Sequence, residues 1–265
     1  MILAFDDVTH YIFILFLIFG MMGGTPLISA APHLPFQVGE KLTYHFYWGI
    51  FMVGRGSFEV TNIDKKDCCL FTVRVRSNAV LSTLYPVDDV LHSFFDLNHM
   101  RSIHFEQKRK EGMNHVWEET FFYYELGQAS TQSYANGEKK WFEIPKDGVQ
   151  DKLSMIYYMR CMNWKTHNFA SAVLGNDKRN YEVRMTKLKT EILHTDDFQP
   201  IPTFQVQPNM EYLSGFVKKG NMWIWVSNDD FKIPIRVEAK LPIGTITASL
   251  VKVEGVKDWP YHLKH

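Results

Sequence analysis

The fold class of this chain is decided by the stretch Leu42-Thr43-Tyr44-His45-Phe46-Tyr47-Trp48-Gly49-Ile50. Every even-numbered position in this stretch is apolar or aromatic. In a β-strand, successive side chains point to opposite faces, so a period of two is the pattern of a strand with one buried face. The stretch therefore predicts a strand whose buried face carries Tyr44, Phe46 and Trp48.

The same alternation continues along the chain. Residues Asn62–Asp67 are polar and turn-like, and Asn78–Asp89 reads as a short helical or irregular stretch that ends at Pro86. Strand patterns fill most of the rest: Val53–Ile63, Cys69–Arg76, Val90–Asp96, Met100–Lys110, Asn114–Tyr124, Gln128–Tyr134, Lys139–Ile144, Asn168–Leu174, Tyr181–His194 with a break near Leu188, Pro202–Pro208, Met222–Ser227, Ile233–Leu241 and Gly244–Val253. We predict a mainly β protein, built as a meander of antiparallel strands with one face buried and one face in water.

One principal helix interrupts the strands, from about residue 151 to about residue 162. Asp151 is a good N-cap residue, and apolar side chains follow it at helical spacing. The stripe that we expect to pack against the sheet consists of Leu153, Ile156 and Tyr157, with Arg160 near the C-terminal end of the helix.

Arg160 has two interpretations. It either forms a buried pair with a carboxylate, for which Asp229 and Asp230 are the candidates, or it lies at the surface and complements the helix dipole. Both interpretations give Arg160 a structural role, which we favour over the alternative of a role in ligand binding.

An apolar run, Tyr11–Met22, precedes the strands and is followed by small residues such as Ala30 and Ala31. It is short for a membrane span but suits the apolar region of an export signal. The first ten residues contain Asp6 and Asp7 and no Lys or Arg, which is unusual for such a signal. We therefore expect residues 1–30 to be a signal peptide of a periplasmic or secreted protein. The alternative is an uncleaved anchor, through residues 11–24, of a membrane-anchored protein facing the periplasm.

The remaining sequence predicts a single β-rich domain over residues 31–256 and a tail over residues 257–265. No Ser/Gly/Pro linker or internal repeat divides it. Lys and Arg together number 29, and Asp and Glu also number 29, so the formal net charge is zero. A neutral chain lacks the basic stripe that phosphate backbones require, which argues against a nucleic-acid partner.

The three cysteines leave two alternatives open. In an oxidising compartment, either Cys68 or Cys69 pairs with Cys161 and leaves the other thiol free. Otherwise all three are small buried apolar residues.

No catalytic, metal or cofactor motif is present. There is no GxSxG, and the histidines His92, His99, His104 and His115 match no zinc spacing. The paired carboxylates at 88–89, 196–197 and 229–230 fall in turn-like settings, where Asp is favoured for backbone hydrogen bonding. We therefore predict no catalytic residue, no metal and no cofactor.

A pair of tryptophans offers a candidate binding face. Trp223 and Trp225 share one face of a predicted strand, and Met222, Ile224 and Val226 share the other. The tryptophan face is either the wall of an apolar ligand site or core packing beneath the helix, and core packing is the commoner use of such a stripe.

Three stretches in the right order resemble the exported bacterial family catalogued as domain of unknown function 3108. They are an opening hairpin at Gly39–Tyr44 with Gly49 and Gly54, a helix at Asp151–Arg160, and a closing region from Gly220 to Leu250 that includes Ile233-Pro234-Ile235-Arg236. The resemblance spans roughly residues 36 to 254. It implies an envelope protein with a curved antiparallel sheet, half-barrel or barrel-like, similar in fold to periplasmic lipoprotein carriers.

Three functions follow as hypotheses. The first is a non-enzymatic exported envelope protein that binds or carries an apolar, lipid-like ligand, with Tyr44, Phe46, Trp48, Trp223 and Trp225 as the candidate lining. The second is a structural or interaction module in envelope assembly that binds an envelope protein and holds no small ligand. The third is a hydrolase acting on envelope polymers.

Overall fold

The computed structural model describes residues 34–63, 67–176, 179–212, 217–218, 222–242 and 244–264. The predicted signal segment, residues 1–30, lies outside this range, as do Gly220 and Asn221 of the closing motif. None of the helices within the described range has both the length and the apolar character needed to cross a membrane.

Strands make up most of the described chain. They are β1 Lys41–Trp48, β2 Phe51–Asn62, β3 Cys68–Ser77, β4 Asp88–Asp96, β5 Arg101–Glu111, β6 Asn114–Tyr123, β7 Gln128–Ser133, β8 Lys139–Glu143, β9 Phe169–Asn176, β10 Arg179–Leu193, β11 Ile201–Tyr212, β12 Val217–Lys218, β13 Met222–Ser227, β14 Pro234–Leu241 and β15 Gly244–Glu254. Two α-helices accompany them in the described residues, α1 Ala79–Leu84 and α2 Ser154–Cys161, together with a 3₁₀ turn at Tyr124–Leu126.

All of these strands belong to one antiparallel sheet. Strands β1 to β8 follow one another as neighbours, and β15 pairs with β1 on its other side. From β15 the sheet continues through β14, β13, β11, β10 and β9, while β12 pairs with β11. The predicted mainly β fold built on an antiparallel meander is therefore confirmed.

The two edge strands of the sheet, β8 and β9, approach each other without pairing directly. Instead the segment after β8 bridges the gap, because the Gln150 amide donates to the Val173 carbonyl (2.7 Å) and the Gly175 amide donates to the Gln150 carbonyl (2.8 Å). Asn180 of β10 adds a side-chain hydrogen bond to the Glu143 carbonyl of β8, at 2.6 Å. The sheet thus curls into the predicted barrel-like form with an irregular seam.

The aromatic face of β1 points into the barrel. Leu42, Tyr44 and Phe46 are buried, as the alternation predicts. The adjacent strand makes room for Phe46 with a glycine, since a Cβ on Gly56 would lie 2.9 Å from the Phe46 ring. A strand that is otherwise apolar on this face therefore needs glycine at this point.

Helix α2 begins three residues later than predicted, at Ser154, but Asp151 still caps it. The Asp151 Oδ1 atom accepts hydrogen bonds from the backbone amides of Leu153 (2.7 Å) and Ser154 (2.9 Å). Its other oxygen accepts from the hydroxyls of Ser93 and Ser102 on β4 and β5. The cap therefore ties the start of α2 to the inner face of the sheet.

The barrel has two distinct ends. The rim end carries the β1–β2 turn at 49–50, helix α1 and the β5–β6 turn at 112–113. The tail end carries the start of β1, the turn at 228–233 and the C-terminal tail. This tail packs back on the sheet: the ring of Trp259 lies 5.2 Å from that of Phe198, and Leu263 bridges to Phe198.

Candidate functional site

Helix α2 fills the barrel interior near the tail end. Leu153, Met155, Tyr157 and Met159 are buried, and the ring of Tyr157 stacks on that of Phe71 of β3 at 3.7 Å. Together with the sheet side chains they form one continuous apolar core. The predicted packing of this helix against the sheet is confirmed.

The same helix carries a buried ion pair. Arg160 Nη1 lies 2.5 Å from Glu40 Oε1, and Nη2 lies 2.9 Å from Oε2, so the pair is bidentate. Arg160 also donates to the carbonyls of Pro35 (2.6 Å) and Phe231 (3.0 Å). Both charged side chains are about 1% exposed. The guanidinium therefore joins the N-terminal segment, β1 and the 228–233 turn at one point.

The predicted partners of Arg160 were wrong. Asp229 closes its own turn, where one oxygen accepts hydrogen bonds from the Phe231 and Lys232 amides at 2.9 and 2.8 Å. Asp230 is exposed and pairs with Lys165 at 3.2 Å. The turn is nevertheless close to Arg160, because its Phe231 carbonyl is the acceptor described above.

Burial shifts the pKa values of the groups around this pair. Desolvation alone would lower the pKa of Arg160, but the charge and hydrogen bonds of Glu40 outweigh it, so the pKa is raised. Desolvation raises the pKa of Tyr44 and Tyr157 above the usual tyrosine range. All three groups therefore keep their protons throughout the physiological pH range.

A small cavity remains between α2 and the sheet. Its volume is about 40 Å³, and its walls are mainly apolar, formed by Leu42, Tyr44 and Phe58 of the sheet with Met155, Tyr157 and Met159 of the helix, among others. A site for a lipid-sized ligand needs a few hundred cubic ångströms. The cavity has the predicted character but about a tenth of the required size.

The five predicted lining residues do not come together. Tyr44 lines the cavity, Phe46 is buried toward the rim end, and Trp48 is half-buried beside Gly244. Trp223 and Trp225 lie on the outer face, because Met222, Ile224 and Val226 are the buried face of β13. The Trp225 indole donates to Glu191 at 2.7 Å, and Lys240 lies over Trp223. The tryptophan face therefore does not lie beneath the helix, although Trp225 is partly buried against the core, and its use as a ligand wall stays a prediction.

A second group of buried charges lies at the rim end. Asp89 and Glu111 are adjacent carboxyl groups, each less than 5% exposed, and Arg109 lies 3.6 Å from Glu111. Burial, and next the neighbouring Glu111, raise the pKa of Asp89 to about 8. Asp88 and Asp89 belong to strand β4 and not to the turn that the sequence predicted, and burial favours the protonated form of Asp89.

The rim end also exposes large apolar side chains. Ile50, Phe51, Val80, Leu84 and Met113 are each between 72% and 99% exposed, and Met52 is partly exposed. We call these six residues the apolar rim. Isolated exposed apolar residues are ordinary, but a group of them on adjoining turns marks an interaction surface.

Hydrogen bonds hold the three parts of the apolar rim together. Asn78, which caps α1, donates from its side chain to the Met52 carbonyl (2.6 Å) and from its amide to the Val53 carbonyl (2.8 Å). On the other side, the Gly112 amide donates to the Pro86 carbonyl at 2.8 Å. Helix α1 is therefore held between the two turns, and the three parts of the apolar rim lie on adjoining segments.

A groove of about 410 Å³ lies at the tail end, where the tail folds back. It is lined by Phe198, Val253, Val256, Trp259, Tyr261, His262 and Leu263. In contrast to the apolar rim, its large aromatic side chains pack against one another.

The cysteines are free thiols: Cys69 is buried, and Cys68 and Cys161 are half-buried. Burial raises the pKa of the Cys69 thiol to about 12 and that of Cys161 to about 12. Among the described residues, no group of three His, Cys, Asp or Glu side chains is arranged to hold a metal ion.

A protein-family model, described as a protein of unknown function (DUF3108), matches residues 43–251. The chain belongs to this family. No curated protein matches it. The resemblance seen in the opening hairpin, the helix and the closing strands is confirmed by this match over most of the chain.

The solved structures that are similar in fold include a beta-barrel-like protein of the domain of unknown function DUF1849 from Brucella abortus, with a TM-score of 0.58 and 12% sequence identity. The alignment covers 82% of this chain and 97% of the Brucella chain. At this identity the likeness concerns the fold alone, and it places this DUF3108 member among barrel-like proteins.

Proposed function

We propose that this protein is a non-enzymatic module of the bacterial cell envelope that works through its outer surface and docks onto its partner with the apolar rim. The observation that carries the proposal is the exposure of Ile50, Phe51, Val80, Leu84 and Met113 on two turns and helix α1, which hydrogen bonds join to one another. Leaving such side chains in water is costly, at about 25 cal/mol per Å² of apolar surface. A partner that covers them recovers this free energy.

The filled interior supports an outer working surface. Helix α2 occupies the tail end of the barrel and is held by the Glu40–Arg160 pair, and the cavity between α2 and the sheet is about 40 Å³. A carrier that holds an apolar ligand between α2 and the sheet would have to displace α2 and break that buried pair. The carrier hypothesis is therefore our second choice, supported by the apolar lining of the cavity and opposed by its size.

Site-specific photo-crosslinking in intact cells tests the proposal. A benzophenone amino acid is placed at Phe51 or Leu84 in the apolar rim, and at Ile192 as the control. Ile192 is also an exposed apolar residue, at 61%, but it lies on β10 away from the rim. We expect crosslinked adducts with the probe at 51 and 84 that are absent with the probe at 192. Equal labelling at all three positions would contradict the proposal.

Native mass spectrometry of the isolated protein tests the carrier alternative. If the outer surface is the working surface, the measured mass is that of the bare chain. A co-purifying lipid that remains bound after the apolar rim is changed to serine would favour the carrier hypothesis instead.

A further inference from the structure

The outer surface beside the apolar rim is basic. Five exposed side chains, which we call the basic band, lie on strands that lead into the rim turns: Arg55, Arg74, Arg76, Lys108 and Lys110. Arg55 is four residues from Phe51, and Lys110 is three residues from Met113. At about 3.3 Å per residue, Arg55 and Lys110 lie within roughly 15 Å of the apolar tips along the strands, and Arg74 and Lys108 lie one cross-strand row further away.

The sheet register concentrates these charges. Arg55 lies opposite Arg76, which lies opposite Asp88. The next cross-strand row consists of Ser57, Arg74, Val90 and Lys108. In these two rows of β2–β5, as far as the structure describes them, Asp88 is the one exposed acidic side chain. It pairs with Arg76 at 3.0 Å. Lys108 reaches Glu106 of the following row at 2.6 Å.

Apolar tips beside a basic surface fit one kind of partner. Apolar side chains gain free energy when they enter the boundary between headgroups and acyl chains, and basic side chains gain free energy near anionic headgroups. The two contributions add when one face presents both. An apolar protein partner would use the apolar rim alone and would leave the basic band without a role.

We propose that the partner of the apolar rim is the surface of an anionic lipid bilayer. The side chains of Ile50, Phe51, Val80, Leu84 and Met113 insert between the lipids, and the basic band contacts lipid phosphates. This inference rests on the proposed function, because it names the partner of the same surface.

Vesicle binding with a position-specific probe tests the inference. An environment-sensitive fluorescent amino acid replaces Phe51, or Ile192 as the control, in the protein as it is isolated. Because the probe reports its own surroundings, any contribution of the apolar run Tyr11–Met22 to membrane attachment does not produce the signal. With vesicles of phosphatidylglycerol and phosphatidylethanolamine, we expect a blue shift at position 51 and none at position 192. Phosphatidylcholine vesicles should give a much weaker response.

Substitutions separate the apolar and the electrostatic contributions. Arg55→Gln and Lys110→Gln should each weaken binding to the anionic vesicles about fivefold, and added salt should reduce the difference. Lys189→Gln on β10 is the matched control, since Lys189 is exposed but distant from the apolar rim. Leu84→Ser should weaken binding to both kinds of vesicle. Thermal unfolding of each variant verifies that the fold is intact.

Three results would overturn the inference. Equal responses at positions 51 and 192, equal affinity for neutral and anionic vesicles, or equal effects of Lys189→Gln and Arg55→Gln would each contradict it. If position 51 gives no vesicle response while the cellular crosslinks at 51 persist as protein adducts, the partner is a protein and the proposed function survives. If sedimentation shows a dimer that Leu84→Ser disrupts, the partner is a second copy of this chain. If the crosslinks also fail, the proposed function fails with the inference.

Discussion

Titratable side chains are buried at both the tail end and the rim end of the barrel, but the groups that surround them differ. At the tail end, Arg160 forms a bidentate ion pair with Glu40 and also donates hydrogen bonds to two backbone carbonyls. At the rim end, two carboxyl groups, Asp89 and Glu111, lie side by side, and burial keeps Asp89 protonated. The two ends also differ in the exposure of apolar side chains. The tail covers Phe198, whereas the side chains of the apolar rim are exposed. The tail end is built for stability, and the rim end retains features that stability alone does not require.

The largest expected effect of a single change is at the tail end. Arg160→Leu should destabilise the protein by about 3–5 kcal/mol, because it leaves the Glu40 carboxylate buried without its partner. Urea unfolding measures the difference. The double variant with Glu40→Gln should regain part of the loss, since the unpaired charge is then gone. A loss below about 1 kcal/mol for Arg160→Leu would show that the pair does not hold this end together.

At the rim end, the corresponding experiment is a pH series. The pKa of Asp89 is about 8 in the folded state and about 4 in an unfolded chain, so between these values only the folded state holds the proton. Stability should therefore fall as pH rises from about 4 to about 8. The loss of stability from this group should be progressive over that pH range, and Asp89→Asn should abolish it.

The informative quantity is the difference between wild type and Asp89→Asn at each pH. His92 and His104, whose pKa values are lowered by burial, titrate in both proteins and cancel in that difference. Parallel stability curves for the two proteins would contradict the protonated state of Asp89.

A smaller loss is expected when the packing of the tail is removed. Trp259→Ala should cost about 2 kcal/mol, because the indole packs edge-on against the rings of Phe198 and Tyr261. Thermal unfolding gives the difference. If the tail merely lay on the surface, the melting temperature would not change.

The smallest effect is expected at the apolar rim. Leu84→Ala should change stability by no more than about 0.5 kcal/mol, since Leu84 is 79% exposed. The same substitution should reduce binding to the partner. The apolar rim differs from the tail end in that its residues affect binding and not stability. If Leu84→Ala lowered stability as much as Trp259→Ala does, this distinction would be wrong.

The sequence predicts the strands and the helix well, because alternation of period two and a capped apolar stripe are local patterns. Even the predicted break near Leu188 corresponds to an irregularity in the β10–β11 register between Lys187 and Lys189. Glycines inside a strand pattern are also a local signal of close backbone approach, and the Arg76 carbonyl oxygen of the neighbouring strand would lie 2.6 Å from a Cβ on Gly54.

The sequence fails where the answer depends on distant contacts. The partner of Arg160 is Glu40, 120 residues away, and nothing in either local sequence distinguishes Glu40 from Asp229. On β13 both faces are apolar. The alternation therefore places Trp223 and Trp225 on one face and their neighbours on the other, but it does not predict which face is buried. The apolar rim was missed because Ile50 continues an apolar alternation, and because exposure of Val80 and Leu84 depends on what packs against α1. One available signal was the concentration of apolar residues at turn positions.

Hydrogen exchange of the isolated protein, with and without membranes of the bacterial envelope, tests the central claim most directly. If the apolar rim is the working surface, protection appears in the segments 49–53, 79–86 and 112–114, and exchange in α2 and in the tail is unchanged. Protection of α2, or of the tail-end groove around Trp259, without protection of the three rim segments would contradict the account.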